Sequence, residues 1–259
     1  MRTITIPKER NIPNEDAVIA RDSLIAVSDG AGGGGVFADF WSKCLVEKLP
    51  DKPIKSFKAF DKWIDGIWEP FYNDCEEKAK KIGGLFLNKF YDEGSFATLV
   101  AVWKNGMWIS YGDSVAFCYN RKSKELQHSF TRLADFNNPP YLINCKDPLD
   151  EKGLRKGQFN VDKNCIIMAA SDTLAHYILM MYEVSYKDMF SEELQEAINA
   201  QTKNSNFIKT AMAIEELDFE KDVICKLLNC STWPILKSHI KGLKKKGLIG
   251  HDDYSLVIM

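Results

Sequence analysis

The stretch VSDGAGGGG, residues Val27–Gly35, decides how this chain is read. Gly30, Gly32 and Gly35 satisfy G-x-G-x-x-G, a spacing that in dinucleotide-binding loops lets backbone amides approach a pyrophosphate. Asp29, however, stands directly before the first glycine, where its charge would repel a phosphate. Such a loop also needs an acid ending the next strand some twenty residues on. Asp51 lies near that distance, but Lys52-Pro53 and a helical pattern follow it, not a strand–helix crossover. The alternative is a cation site. A strand ending in Asp-Gly projects a carboxylate and the next carbonyl oxygen past the sheet edge, and hard divalent ions take such oxygens as ligands.

If Asp29 serves a cation, other acids should end strands in the same way. PNEDAV places Asp16 at the head of a strand, and IIMAASD places Asp172 at the tail of a buried one. GHDDYSLVIM places Asp252 and Asp253 just before a final strand. One strand-ending Asp is ordinarily a turn former. Four such settings in one chain favour a shared purpose.

The surrounding pattern is antiparallel. Thr3–Ile6, Ala17–Ala20 and Leu24–Ser28 are strand-like, and Gly35–Leu49 has apolar residues at helical spacing. A second helix follows Pro53, with Phe57, Phe60, Ile64, Ile67, Phe71 and Cys75 on one stripe, and breaks at Gly83-Gly84. Phe96–Trp103 and Met107–Tyr111 flank Asn105-Gly106, a tight-turn signal, and Val115–Tyr119 with Glu125–Ser129 form the next hairpin. Cys165–Ala170 is a buried strand, Leu174 to about Gly247 is mostly helical, and Tyr254–Met259 is a strand. A capping box is expected at Ser191 in SEEL. With no repeat or linker, the pattern implies one domain over 1–259 with a helical insertion at about 184–247.

Composition narrows the partners. A net charge of −2 over 259 residues gives no basic excess to drive binding to nucleic acid or a membrane surface. The basic run Lys241–Lys246 reads as a solvated helix end. Seven scattered cysteines without C-x-x-C argue against a disulfide framework or a zinc site and suit a reducing cytoplasm, and no apolar stretch is long enough to span a bilayer.

The ordered set NEDA, VSDGAGG, GSFATLVAV, YGDS, IIMAASD and DDYSLVIM resembles the metal-dependent serine/threonine phosphatases, the protein phosphatase 2C-like family. The resemblance covers residues 10–130, 160–176 and 250–259 and is poor over 131–160 and 184–247. It implies an α+β fold, a four-layer α-β-β-α sandwich of two antiparallel sheets flanked by helices. It also implies a hydrolase of phosphoserine and phosphothreonine on proteins, acting in signalling through a water that bridges two Mn²⁺ or Mg²⁺ ions. Asp29 would bridge the ions with the Gly30 carbonyl as a further ligand, Asp172 and Asp252 would complete one shell, and Asp16 would hold the second ion's waters. Asp253 and Ser255 match supporting positions.

The sequence also departs from the family pattern. The phosphate-binding arginine is expected where Asn11 stands, so Arg10 is the candidate clamp, one residue out of register. G-D-S-R has lost its arginine to Val115, S-D-G has Thr173 for its glycine, and Ala31 stands where some relatives carry a histidine. Asp113 and His176 are candidates for a third ion, although His176 suits a helix face equally well. These departures support a second reading, a catalytically impaired relative that binds a phosphoprotein or partner. Substrate protein and oligomeric state are not encoded in any of these features.

Overall fold

The computed structural model describes residues 1–33 and 35–259. Its strands are β1 (Arg2–Ile6), β2 (Ala17–Arg21), β3 (Leu24–Ser28), β4 (Phe96–Ala97), β5 (Leu99–Trp103), β6 (Met107–Tyr111), β7 (Val115–Asn120), β8 (Glu125–His128), β9 (Ile143–Asn144), β10 (Leu154–Gln158), β11 (Cys165–Ala170) and β12 (Tyr254–Ile258). Two five-stranded sheets result, in the orders β1-β12-β11-β7-β8 and β10-β6-β5-β3-β2, and every pairing within them is antiparallel. The helices are α1 (Ala38–Lys48), α2 (Phe57–Asp65), α3 (Trp68–Ile82), α4 (Gly84–Glu93), α5 (Asp172–Ser185), α6 (Ser191–Asn199), α7 (Lys203–Met212), α8 (Cys225–Asn229) and α9 (Trp233–Lys245). None is long and apolar enough to cross a membrane.

The layering follows from strand alternation, because successive side chains face opposite sides of a sheet. On β3, Ile25 and Val27 join Val100, Val102, Ala116, Cys118, Ile167, Ala169 and Val257 in the core between the sheets. Leu24 and Ala26 face the other way, against Trp41 and Leu45 of α1 and Phe60 and Ile64 of α2. The far face of the other sheet, with Phe117, Tyr119, Met168 and Leu256, packs against α5 and, at β1, against α9, and the same apolar cluster takes in α6 to α8. The result is the expected α-β-β-α sandwich.

Local differences have local causes. α1 starts at Ala38 and not Gly35, because Phe37 adopts a left-handed conformation (φ 57°) that no α-helix continues through. The stripe after Pro53 breaks at Gly66 into α2 and α3. The Asn105-Gly106 turn forms as expected, with Gly106 at φ 83°. At Ser191 there is no capping box: Phe190 is the cap residue, with no side-chain hydrogen bond. The box lies at Thr202, whose hydroxyl and that of Ser205 each accept the other's backbone N–H.

Candidate metal centre

Strand register brings the acids to one end of the sandwich. Ala17 pairs with Ser28, so Asp16 and Asp29 flank the same end of the β2–β3 hairpin. Val27 pairs with Val100 and Leu99 with Tyr111, which carries Asp113 in the β6–β7 turn to that end. In the other sheet Ala170 faces both Val115 and Leu256, so Asp172 leaves β11 where Asp252 and Asp253 lead into β12.

The carboxylates feel one another. Burial raises the Asp29 pKa well above the ordinary carboxylate value, and Asp16, Asp172, Asp113 and Asp252 add to the rise. Burial pushes Asp16 to about 8, with Asp172 and Asp253 contributing, while the nearby Ser255 and Ser171 hydroxyls oppose the shift. Neither serine hydrogen-bonds the carboxylate: Ser171 Oγ accepts from the Ser255 N–H (3.1 Å), and Ser255 Oγ donates to Thr5 Oγ1 (2.7 Å). Asp16 is 7% exposed, and neither oxygen has a partner among the described residues. Burial with the Asp172 charge raises Asp113 to about 7, and burial with the Asp252 charge raises Asp172 to about 6. Buried carboxylates without donors are costly, and a cation is the group that relieves such a cluster.

The glycine loop is shaped around Glu15. The Gly30 N–H donates to Glu15 O (3.1 Å), and a Cβ on Gly30 would stand 2.7 Å from both Glu15 O and Ala38 O. A Cβ on Gly32 would collide with the Glu15 carboxylate. Gly30 and Gly32 are thus needed for the close approach of this loop to Glu15 and Ala38. Asp29 is fixed from behind: its N–H donates to Thr98 Oγ1 (3.2 Å), its carbonyl accepts from the Thr98 N–H (2.8 Å), and Thr98 Oγ1 meets Ser114 Oγ (2.7 Å).

Asp253 does not face the cluster as a free acid. Its two oxygens accept the N–H groups of Lys8 (2.6 Å) and Glu15 (2.8 Å), clamping the β1–β2 loop to the start of β12. Asp252 is the most open of the acids, with its side chain 44% exposed.

Two candidates stand elsewhere. His176 is buried edge-on to Phe136 (centroids 5.3 Å apart) and near Phe207 (6.3 Å), and burial alone lowers its pKa to about 4. It packs as a core imidazole between aromatic rings. Arg10 is exposed and forms no ion pair among the described residues. Lys8 is a cation beside the acids, its ammonium 2.9 Å from Glu15 Oε2 and 3.8 Å from Asp252 Oδ1. Glu15, Asp252 and Asp253 raise the Lys8 pKa against the opposing effect of burial. The sequence carried no signal for Lys8 beyond its nearness to NED. Arg155, on β10, was also missed: its guanidinium stacks on Phe130 (4.6 Å) and donates to the Gly112 carbonyl beside Asp113.

The residues present suit a divalent cation in chemistry and burial. Among the described residues no group of three or more Asp, Glu, His or Cys side chains stands in an arrangement that would hold a metal ion.

No protein-family model and no curated protein matches the sequence. The fold is nevertheless shared with solved structures. One is the Mycobacterium tuberculosis serine/threonine phosphatase PstP/Ppp, with TM-score 0.51 and 14% identity over 99% of this chain and 95% of that one. Another is the catalytic domain of serine threonine protein phosphatase PstP in complex with two manganese ions, with TM-score 0.50 and 14% identity over 99% and 95%. At that identity the likeness establishes the fold, the one the sequence motifs implied.

Proposed function

We propose that this chain hydrolyses phosphoserine and phosphothreonine on proteins with the help of two divalent cations, Mn²⁺ or Mg²⁺. Asp16, Asp29, the Gly30 carbonyl, Asp172 and Asp252 would hold them, with Asp113 placed to serve a third. The observation that carries this reading is the convergence of acids from five separate segments on one end of the sandwich, with both oxygens of buried Asp16 unpartnered among the described residues. When bound, such cations neutralise phosphoryl oxygens and lower the pKa of water enough to make it a nucleophile at neutral pH. The protein's own groups supply position. Thr98 and Ser114 hold Asp29, Asp253 holds the loop that bears Asp16, and Lys8 offers a cation to an incoming phosphate. Arg10 would take that part only from the outer edge. The described cysteines are free thiols, as a reducing cytoplasm would keep them, and we place the protein there. We treat 1–259 as one domain with α6 to α9 as its insertion.

One observation favours the impaired relative. Lys8 already sets a positive charge beside Asp252, partly replacing what a cation would supply. Manganese-dependent release of phosphate from phosphothreonine peptides, lost in Asp29→Asn, supports the enzyme. Tight phosphopeptide binding with no turnover at saturating Mn²⁺ supports the relative and removes the enzyme reading.

A further inference from the structure

The turn that carries Asp113 borders a niche of about 200 Å³, and Gly112 and Asp113 themselves belong to its lining, so it adjoins the acid end. The rest of the lining includes Phe130, Pro139, Pro140, Tyr141 and Arg155 of β10. Most of these residues fall in 131–160, where the sequence departs furthest from the family pattern, so the niche belongs to this chain in particular.

Its wall is held against the turn. Gly112 adopts φ 97°, and a Cβ there would stand 2.9 Å from the Tyr141 carbonyl oxygen. The Tyr141 ring meets Tyr111 edge-on (6.4 Å) and stays 46% exposed. Phe130 packs on Phe136 (4.1 Å) and takes the Arg155 guanidinium 4.6 Å from its centroid. Small-molecule sites begin at roughly 300 Å³, so a niche of this size has room for one side chain.

Charge decides which side chain. The hydrogen bonds of Arg155 among the described residues go to two neutral oxygens, Ser110 Oγ (3.4 Å) and the Gly112 carbonyl. Both oxygens of Asp135 are engaged, by Thr131 (2.5 Å) and Arg132 (3.0 Å). An anionic occupant would meet Asp113 and Asp135, and a cationic one would meet Arg155 and Lys152. A neutral ring meets neither penalty. It would cover the apolar wall and offer a π face to Arg155, which already stacks on one ring and is the cation best suited to stack on another.

We propose that this niche receives an aromatic side chain of the substrate, within about three residues of the phosphorylated serine or threonine, against Arg155, Pro139, Pro140 and Tyr141. The inference rests on the phosphatase reading and adds a preference to it: phosphoproteins with phenylalanine or tyrosine near the phosphorylated residue.

The test uses the full chain with Mn²⁺ and phosphothreonine peptides that carry phenylalanine, cyclohexylalanine, alanine or glutamate in turn at each of the three positions on either side. Phosphate release gives kcat/KM, and fluorescence anisotropy of the matching non-hydrolysable phosphonates gives affinity. At one position phenylalanine is expected to exceed alanine about tenfold in both readouts. Cyclohexylalanine, similar in size but without a π face, should fall about threefold short of phenylalanine, and glutamate should not exceed alanine. Arg155→Met should equalise phenylalanine and cyclohexylalanine, and Tyr141→Ala should bring the phenylalanine-to-alanine ratio close to one. The proposal is overturned if phenylalanine gains nothing at any position, if cyclohexylalanine matches it on the parent chain, or if glutamate is preferred. Any of these results with turnover intact leaves the phosphatase reading standing. A phenylalanine preference in binding without turnover supports the niche and removes the enzyme, whereas no phosphopeptide binding at all removes both.

Discussion

The acid end of the sandwich and the helical region outside α5 are built on opposite terms. At the acid end, side chains with raised pKa values crowd together, Asp16 lacks partners, and glycines allow contacts that a methyl group would prevent. In the helical region, Leu194, Ile208, Phe219, Leu227, Leu236 and Ile240 join one continuous apolar cluster with the outer face of the sheet. The first region gives up stability for a charge arrangement, and the second supplies it. The contrast teaches where to look for chemistry: strongly shifted carboxylates gather at the acid end, whereas the helical scaffold is dominated by apolar packing.

The sharpest way to break the comparison is to change one residue on each side. Asp29→Asn removes a charge from a repulsive cluster, so the metal-free protein should keep or raise its Tm. Its manganese-dependent phosphatase rate should fall on the order of a thousandfold. Leu236→Ala should do the reverse, costing about 3 kcal/mol in urea unfolding through the cavity it leaves while the folded fraction keeps its kcat. A metal-free Asp29→Asn protein that unfolds more easily than the parent would refute the contrast.

Asp253→Ala lies between these extremes. It strands the Lys8 and Glu15 N–H groups in a partly buried setting, which should cost about 2 kcal/mol. It should also loosen the loop bearing Asp16, so stability and Mn²⁺ affinity fall together. The double mutant with Asp29→Asn separates the two effects.

The pH dependence sharpens the contrast further. Asp16, Asp113 and Asp172 have folded pKa values of about 8, 7 and 6 against an ordinary 3.8. The folded state therefore holds protons that the unfolded chain releases. Their contribution to stability is complete below about pH 4 and is lost as pH rises through 6 to 8. The Tm of the metal-free protein should fall over that window, and Mn²⁺ should raise it more at pH 8 than at pH 6. Glu183, buried at the other end of α5 with a pKa raised by burial to about 8, adds a decline of the same sign. Manganese cannot relieve that part, and Glu183→Gln should remove it. The smallest effect is expected at Arg10, where exposure predicts that Arg10→Ala shifts stability by less than about 0.5 kcal/mol. If Lys8→Ala raises KM for a phosphopeptide and Arg10→Ala does not, the clamp belongs to Lys8.

Most of the sandwich was legible because its strands are short, turn-linked and strongly apolar. Asn105-Gly106 and the run CIIMAA mark two of them without ambiguity. β9 and β10 were not, since Leu154–Gln158 reads LRKGQ and owes its strand form to pairing with β6. α4 escaped because Gly83 and Gly84, both at positive φ, end one helix and begin the next, where a sequence pattern shows only a break. The acids were legible as strand-ending residues, but His176 was not, because only the packing of Phe136 and Phe207 shows which face of α5 it occupies. Lys8 was hidden for a similar reason: its role depends on Asp253 folding the loop back over β12.

That clasp carries a temporal consequence. Lys8 and Glu15 are synthesised well before the carboxylate that fastens them, which sits 245 and 238 positions downstream. β1 likewise waits for β12, its one neighbour in the sheet among the described residues. A nascent polypeptide that has not reached position 253 has neither the fastener nor that edge of the sheet. A product cut short of position 253 would therefore lack the fastened loop that carries Asp16.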